Sequence, residues 1–231
     1  MNFSIRSAKK ELLDGQDIPF EAIRQNMQEL NFINTRLGGH AVTLEGFRQI
    51  LQGRKKISVC EIGCGGGDNL LAIYNWCRKN SVEVQLTGID HNKDCIAIAR
   101  TRLPASQVQF ITADYKKASW EQAGPDIIFS SLFCHHFSNQ ELRYMLGWMN
   151  ANARVGFFIN DLHRHFLAFY SIKILTQIFS KSYLVKNDAP ISVERGFIKK
   201  EWTDLLEQSG IRSCTVTWKW AFRWLVVGLH E

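Results

Sequence analysis

The chain has 231 residues, of which 45% are hydrophobic and 22% are charged, a composition typical of a globular domain with one full-sized core. Its net charge of +6 is not clustered, which argues against a nucleic-acid partner. No apolar run reaches the roughly 20 residues of a membrane span. The six cysteines form no CxxC pair, so we expect reduced thiols in a cytoplasmic protein and no metal site.

The N-terminal region is predicted to be helical. Apolar residues recur at helical spacing over residues 18–37, with Asp17 as a candidate N-cap and Pro19 in the first turn. A second helix is predicted over residues 43–51. We expect residues 1–53 to form a helical lid on the domain that follows.

From residue 54 the pattern changes to buried strands that alternate with amphipathic helices. Such alternation predicts a parallel sheet covered by helices on both faces. The predicted strands are 57–63, 84–90, 108–114, 126–133 and 154–161, and the predicted helices are 69–80, 93–103 and 139–152.

The C-terminal third departs from this alternation. An apolar helix over residues 165–179 precedes a polar stretch, residues 186–197, which we expect to be irregular. A helix at 201–210 and a hairpin of strands at 213–218 and 224–230 follow. We interpret residues 54–231 as one cofactor-binding core with a lid insertion at about 165–197, so that residues 1–231 form a single domain.

The stretch CEIGCGGGDNLL, residues 60–71, directly follows the first strand. Glycines at this position let the backbone turn sharply and approach a ligand at the N-terminus of the next helix. The dinucleotide fingerprint GxGxxG would require glycine at position 68, which is Asp68. Asp90 and Asp114 end the second and third strands, so they should converge with the glycine loop on one crevice.

The spacing Glu-x-Gly-x-Gly-x-Gly at residues 61–67 resembles motif I of the class I S-adenosylmethionine-dependent methyltransferases. This resemblance implies an α/β, Rossmann-like sheet of seven strands, mostly parallel with the last strand antiparallel. It also implies S-adenosylmethionine as cofactor and S-adenosylhomocysteine as product. The cofactor-binding residues implied at matching positions are Glu61, Gly63, Cys64, Gly65, Gly67, Asn69, Asp90, His91, Asp114, Tyr115, Ser131 and Leu132.

The stretch CHHFS, residues 134–138, is similar to the CHDWS stretch of plant-type small-molecule O-methyltransferases. In that family the histidine is the catalytic base, and His135 matches it, while His136 replaces the aspartate. We expect the helix that begins after Ser138 to keep the His135 ring neutral. His163, after the fifth strand, is the competing candidate.

Four further residues are predicted to contact substrate: Asp161, Arg195, Trp220 and Phe222. Nucleic-acid amino-methylases carry a (D/N)PP(Y/F) run after the fourth strand, where this chain has SSLF at residues 130–133, which argues against methylation of a nucleic-acid base. The acidic residues that spermidine synthases carry at this strand are also absent, which argues against that activity. The segments around ELLDG and DAPISVERGF resemble bacterial methyltransferases of polyketide and quinone-like substrates.

We therefore expect O-methylation of a small, apolar, phenolic or polyketide-like substrate. The alternatives are C-methylation of a quinol or polyketide ring, or a non-catalytic cofactor-binding module. The partner is expected to be this small molecule, with no nucleic acid and no stable membrane insertion, and the oligomeric state stays open.

Overall fold

The structure is a computed structural model that describes residues 3–15, 17–120 and 123–230. Residues 1, 2 and 16 of the predicted lid, and residue 231 at the end of the predicted domain, lie outside the described residues. The centre of the molecule is a seven-stranded sheet. Its strands are β1 (Lys56–Ile62), β2 (Glu83–Asp90), β3 (Val108–Thr112), β4 (Ile127–Ser131), β5 (Gly156–Leu162), β6 (Cys214–Lys219) and β7 (Arg223–Leu229).

The sheet is mostly parallel with the last strand antiparallel, as the resemblance implies, and its strand order is β3-β2-β1-β4-β5-β7-β6. The first five strands pair in parallel, and β7 lies antiparallel between β5 and β6. Leu162, the last residue of β5, pairs with Arg223, the first residue of β7. The β6–β7 turn therefore lies at the same edge as the carboxyl ends of the parallel strands.

Eight α-helices surround the sheet within the described part of the chain, and most begin within a few residues of the predicted positions. α5 starts after Ser138, as predicted, behind a capping box in which Ser138 and Glu141 bond reciprocally. The helices are α1 (Phe20–Arg36), α2 (Gly39–Leu51), α3 (Asp68–Lys79), α4 (Lys93–Arg100), α5 (Asn139–Asn152), α6 (Phe166–Phe179), α7 (Tyr183–Arg195) and α8 (Lys199–Gln208).

Two details at the N-terminus differ from the prediction. Pro19 is the N-cap of α1, while Asp17 lies outside the helix with φ +63°. α2 begins at Gly39, four residues before the predicted start, because Gly38 turns the chain with φ +74° immediately after α1.

The prediction of irregular structure over residues 186–197 was wrong, because α7 continues to Arg195 with Pro190 inside it. Proline removes one helical hydrogen bond, but two other features favour the helix. The Ser182 side chain caps it by accepting from the Val185 N–H. Burial of Leu184, Val185 and Val193 then gives it an apolar face against the rest of the molecule.

Both faces of the sheet are covered by a hydrophobic core. Leu70 of α3 and Phe158 of β5 belong to the core on one face, and Leu146 of α5 and Trp202 of α8 belong to the core on the other. This arrangement leaves the carboxyl edge of the parallel strands open for a site. Among the described residues, no helix combines the length and the apolarity that crossing a bilayer requires.

Candidate active site

A cavity of about 910 Å³ lies at the carboxyl edge of the parallel strands. Its walls include every predicted cofactor-binding residue except Gly67, and they also include Gly66, which was not predicted. The order of motifs along the chain therefore corresponds to one continuous crevice, which we call the cofactor crevice.

The glycine loop follows β1 with φ +67° at Gly63, +50° at Gly65 and +73° at Gly67. Any other residue would be strained in this left-handed region. A Cβ at Gly63 would lie 2.3 Å from the Phe133 ring, and one at Gly67 would lie 3.1 Å from the Ala99 Cβ. A side chain at position 63 or 67 would therefore meet neighbouring side chains of the protein itself.

Asp90 holds the glycine loop in place from the end of β2. Its Oδ2 accepts from the Gly65 N–H at 2.8 Å, and its Oδ1 accepts from the Asn92 N–H at 2.8 Å. His91 lies beside it, exposed, with Nδ1 3.8 Å from Asp90 Oδ1. Asp90 thus fixes the loop and also lines the cofactor crevice.

Glu61 is a buried acid in the wall of the crevice. Its Oε1 accepts from Asn69 Nδ2 at 3.1 Å, and its Oε2 has no hydrogen bond from any described residue. Burial, and next the charge of Asp68, raises the pKa of Glu61 well above its usual range. A carboxylate oxygen in this state is suited to a cationic group of a bound ligand. The ammonium of S-adenosylmethionine fits this requirement.

The remaining cofactor positions form the rim and floor of the crevice. Asp114 is exposed, and its Oδ1 accepts from the Lys116 N–H at 3.0 Å. Tyr115 is buried and packs edge-on against Phe137 and Trp148. Asp114 therefore makes the rim of the crevice polar, and the Tyr115 ring makes its floor apolar.

A second cavity of about 350 Å³ lies next to the crevice and is bounded by α1, α6, α7 and the β6–β7 turn. We call it the apolar pocket, because side chains such as Leu30, Ile172 and Leu175 line it. Trp220 and Phe222, both predicted to contact substrate, line this pocket and not the crevice. Leu132, His135 and His136 line both cavities, so they mark the place where the two meet.

His135 is buried in a short 3₁₀ turn between β4 and α5. Its Nδ1 lies 2.8 Å from Asp161 Oδ1, and its Nε2 lies 3.3 Å from Glu11 Oε1 without hydrogen-bond alignment. Burial opposes a charged ring, but Asp161 and then Glu11 outweigh it and raise the pKa of His135 to about 9. The expectation that the α5 N-terminus keeps His135 neutral was therefore wrong for this arrangement.

Like Gly67, the predicted site residues Asp161 and His163 lie outside the walls of both cavities. Asp161 is fully buried behind His135 and accepts from its ring and from the Leu162 N–H, so it orients the histidine instead of contacting substrate. His163 packs between the Phe222 and Trp224 rings, and its Nδ1 accepts from Trp218 Nε1 at 3.1 Å. Burial, and next the charges of His165 and Arg164, lowers the pKa of His163 to about 4.

Arg195 lies in the crevice wall, but protein groups engage its guanidinium. Its Nε donates to the His135 carbonyl at 3.0 Å, and one terminal nitrogen donates to the Lys9 carbonyl at 2.9 Å. Asp14 Oδ2 lies 3.4 Å from the same nitrogen. Arg195 therefore fastens Lys9 and Asp14 to the 3₁₀ turn Cys134–His136, which we call the histidine turn.

The sequence prediction missed the contribution of residues 3–15, which we call the N-terminal segment. Glu11 approaches both histidines, and Asp14 Oδ1 lies 3.0 Å from His136 Nδ1. Arg6 donates to the carbonyls of His135 and Phe137. Two acids three residues apart in a polar stretch are typical of solvated surface, so the sequence carries no signal for this role.

Comparisons with known proteins agree with this geometry. Residues 59–156 match the family model described as a methyltransferase domain. Over 69 residues the chain is 39% identical to the trans-aconitate 2-methyltransferase of Sinorhizobium medicae (strain WSM419). That alignment covers 30% of this chain, and the chain spans only 24% of the length of that relative.

Solved structures match over a larger share of the chain. Human N-acetylserotonin methyltransferase with S-adenosylmethionine has a TM-score of 0.66 and 14% identity, over 97% of this chain and 64% of that chain. The plantazolicin methyltransferase BpumL with S-adenosylhomocysteine has a TM-score of 0.61 and 21% identity, over 86% and 78%. At these identities the likeness concerns the fold. Residues 59–156 thus match a methyltransferase-domain family model, and the fold of the chain is similar to that of these S-adenosylmethionine-dependent methyltransferases.

Proposed function

We propose that the protein transfers a methyl group from S-adenosylmethionine to a hydroxyl oxygen of a small, apolar, phenolic or polyketide-like substrate. The observation that carries this proposal is the His135–Asp161 pair in the wall shared by the cofactor crevice and the apolar pocket. Ligands bound in the two cavities would meet beside this histidine, and a hydroxyl must lose its proton there.

His135 is proposed as the general base. Its Nδ1–H donates to the Asp161 carboxylate, which fixes the ring and leaves Nε2 to accept a hydroxyl proton. A phenol with a pKa near 10 ionises little at pH 7, so a placed base contributes about 10²–10⁴-fold to the rate. Asp161 then stabilises the imidazolium that results.

Glu11 competes with substrate for His135 in the present arrangement. Its carboxylate lies beside Nε2 and helps to raise the pKa of the ring to about 9. A base must be neutral at the moment of proton transfer, so the substrate hydroxyl would take the place of Glu11. We infer that the N-terminal segment withdraws to admit substrate, and that residues 165–197 form the second part of this lid. The rest of the predicted lid does not move with it, because Phe47 and Ile50 of α2 belong to the hydrophobic core.

The residues of the cofactor crevice would hold S-adenosylmethionine through Glu61, Asp90 and the glycine loop. When bound, this cofactor supplies a methyl group made electrophilic by its sulfonium. Much of the rate would then come from holding the two reacting groups in line, since orientation alone can remove a large part of the barrier.

The lining of the apolar pocket supports the substrate class. Aliphatic side chains such as Leu30 of α1 and Ile172 of α6 line it, with the Trp220 and Phe222 rings at the β6–β7 turn. Such a lining favours a flat, weakly polar ring over a charged metabolite. The names of N-acetylserotonin methyltransferase and plantazolicin methyltransferase likewise point to small-molecule substrates. The quinone-like and polyketide-like subclass rests on the sequence resemblance.

A panel of phenols, quinols and aromatic polyketides tests this function through formation of S-adenosylhomocysteine. The expected product carries an O-methyl group, which its carbon chemical shift distinguishes from a C-methyl group. C-methyl products would replace the proposal with ring methylation. Tight binding of S-adenosylmethionine with no turnover across the panel would instead favour the non-catalytic binding module.

A further inference from the structure

Glu11, His135 and His136 form a cluster that the proposed reaction does not fully use. His135 Nε2 lies 3.3 Å from Glu11 Oε1, and His136 Nε2 lies 3.7 Å from Glu11 Oε2. Their ligand-capable atoms all lie within 4.8 Å of one another. Both imidazoles thus turn their Nε2 atoms toward the same carboxylate, and this shared orientation requires an explanation.

The reason is that each imidazole is held from behind by a different carboxylate. His135 Nδ1 lies 2.8 Å from Asp161 Oδ1, and His136 Nδ1 lies 3.0 Å from Asp14 Oδ1. Because a carboxylate holds the Nδ1 side of each ring, the Nε2 atoms of both rings face Glu11. This outer shell is the arrangement that orients histidines as metal ligands in proteins.

A second observation points to a missing ligand. His135 is only 3% exposed, yet its Nε2 has no hydrogen bond within the described ranges. Four ligands around Zn²⁺ at about 2.0–2.1 Å lie roughly 3.3 Å apart. The separations of 3.3 and 3.7 Å around Glu11 are close to that spacing.

We propose that Glu11, His135 and His136 form a binding site for a divalent cation of the zinc class. Two imidazoles and one carboxylate suit Zn²⁺ and do not suit Mg²⁺, which prefers oxygen ligands. Both histidines line both cavities, so the position left open faces the place where substrate would bind.

The charges around the cluster are compatible with a cation. Glu11, Asp14 and Asp161 supply three carboxylates, and Arg6 and Arg195 bring two guanidiniums to the His135 carbonyl. With both rings neutral these five groups leave one net negative charge, which a bound cation would offset.

The consequence for activity rests on the proposed function. One lone pair on His135 Nε2 cannot both hold a cation and accept a proton. A bound Zn²⁺ would also tie Glu11, and with it the N-terminal segment, to the histidine turn. The site would therefore hold the protein in a closed, inhibited state.

Equilibrium dialysis of the chelator-treated protein against Zn²⁺ tests the site directly. We expect about one Zn²⁺ per chain, with affinity lowered at least tenfold in Glu11→Gln and in His136→Gln. His230→Gln, far from both cavities at the end of β7, serves as the matched control and should bind as the wild type does. Equal binding in all four proteins would overturn the site.

Cysteines are the other ligands that could hold zinc, so the Co²⁺ form provides a second readout. Its visible spectrum should show ligand-field bands without thiolate charge-transfer absorption. Thiolate bands would assign the metal to cysteine and overturn the proposal. Circular dichroism of each variant separates lost binding from lost folding.

Turnover with and without Zn²⁺ separates the two proposals. Inhibition that follows the occupancy of the site is expected. A protein that turns over in chelator but binds no Zn²⁺ overturns this inference and leaves the proposed function standing. Full turnover with the site occupied overturns the inhibited state.

Discussion

The cofactor crevice and the apolar pocket share a wall but are built in different ways. The crevice is formed largely by loops at the carboxyl ends of β1 to β4, and a sequence motif or strand end fixes most of its polar groups, apart from those of the N-terminal segment, α1 and Arg195. The apolar pocket is formed by α1, α6, α7 and one turn, which approach from distant parts of the chain. A binding site at a sheet edge is thus encoded locally, while the neighbouring pocket depends on how the helices pack.

This difference separates cofactor binding from substrate selection. The crevice carries the groups that any chain of this fold needs for its cofactor. Under the proposed function, the side chains of the pocket select the substrate, and the histidines between the two cavities take part in the chemistry. Substitutions in the cofactor crevice should therefore change cofactor affinity, and substitutions in the apolar pocket should change substrate affinity.

The largest effect is expected for Gly65→Val. A side chain there is strained at φ +50°, and Gly65 lines the crevice, so S-adenosylmethionine binding measured by calorimetry should be abolished. Gly53→Val is the matched control, since Gly53 has φ +78° with nothing within 4 Å of an added Cβ, at the opposite edge of the sheet. Equal loss of binding in both variants would attribute the effect to backbone strain.

Asp90→Ala should weaken S-adenosylmethionine binding by about 10- to 100-fold, because charge-assisted contacts to the ligand and to the Gly65 N–H are lost. Asp126→Ala is the control. Asp126 also accepts a backbone N–H, from Ser58 at 2.8 Å, but it precedes β4 at the other end of the sheet. Asp126→Ala should lower thermal stability without changing affinity. Unchanged affinity in a folded Asp90→Ala protein contradicts the assignment.

Trp220→Ala should raise KM for an apolar substrate roughly fivefold, with S-adenosylmethionine affinity unchanged. The ring is 69% exposed and lines the pocket, so substrate would bury it at a gain of about 1 kcal/mol. Trp218→Ala, which removes a partly exposed ring outside both cavity walls, is the control for general loosening of the hairpin. The same rise in KM for both variants would show that the pocket is not the substrate site.

The smallest effect is a shift in pH dependence. The base is active when neutral, so kcat/KM should rise with pH through the pKa of His135, about 9 while Glu11 stays close. Glu11→Gln removes one of the two carboxylates that raise this pKa. The acid limb should move to lower pH by about one unit. An unmoved limb would show that Glu11 does not face the ring in the free enzyme, which is the state that kcat/KM reports.

The sequence predicted most of the sheet and crevice because their signals are local. Buried strands alternate with amphipathic helices, and the glycine spacing places Asp90 and Glu61 at one edge. The helical form of residues 186–195 was missed because Pro190 and its polar neighbours are typical of a loop. The burial that stabilises α7 depends on tertiary packing, which the sequence does not show.

The contacts around His135 were beyond sequence reasoning for a different reason. Glu11 reaches the histidine from 124 positions earlier in the chain, and Asp161 turns inward at the end of β5 instead of facing substrate. Both contacts depend on tertiary packing, so no spacing in the sequence predicts them. The charge state of His135 depends on these two acids, and so it could not be predicted from the nearby helix alone.

The role of His135 as general base is tested by the turnover of His135→Gln across phenols of graded acidity, beside His163→Gln as control. We expect turnover of weakly acidic phenols to fall about 10²–10⁴-fold, with S-adenosylmethionine affinity nearly unchanged, and acidic phenols to restore the rate because they bring their own phenolate. His163→Gln should keep its rate, since that ring lies outside both cavity walls. A His135→Gln protein that keeps its rate but loses the cofactor would contradict the account and place the base elsewhere.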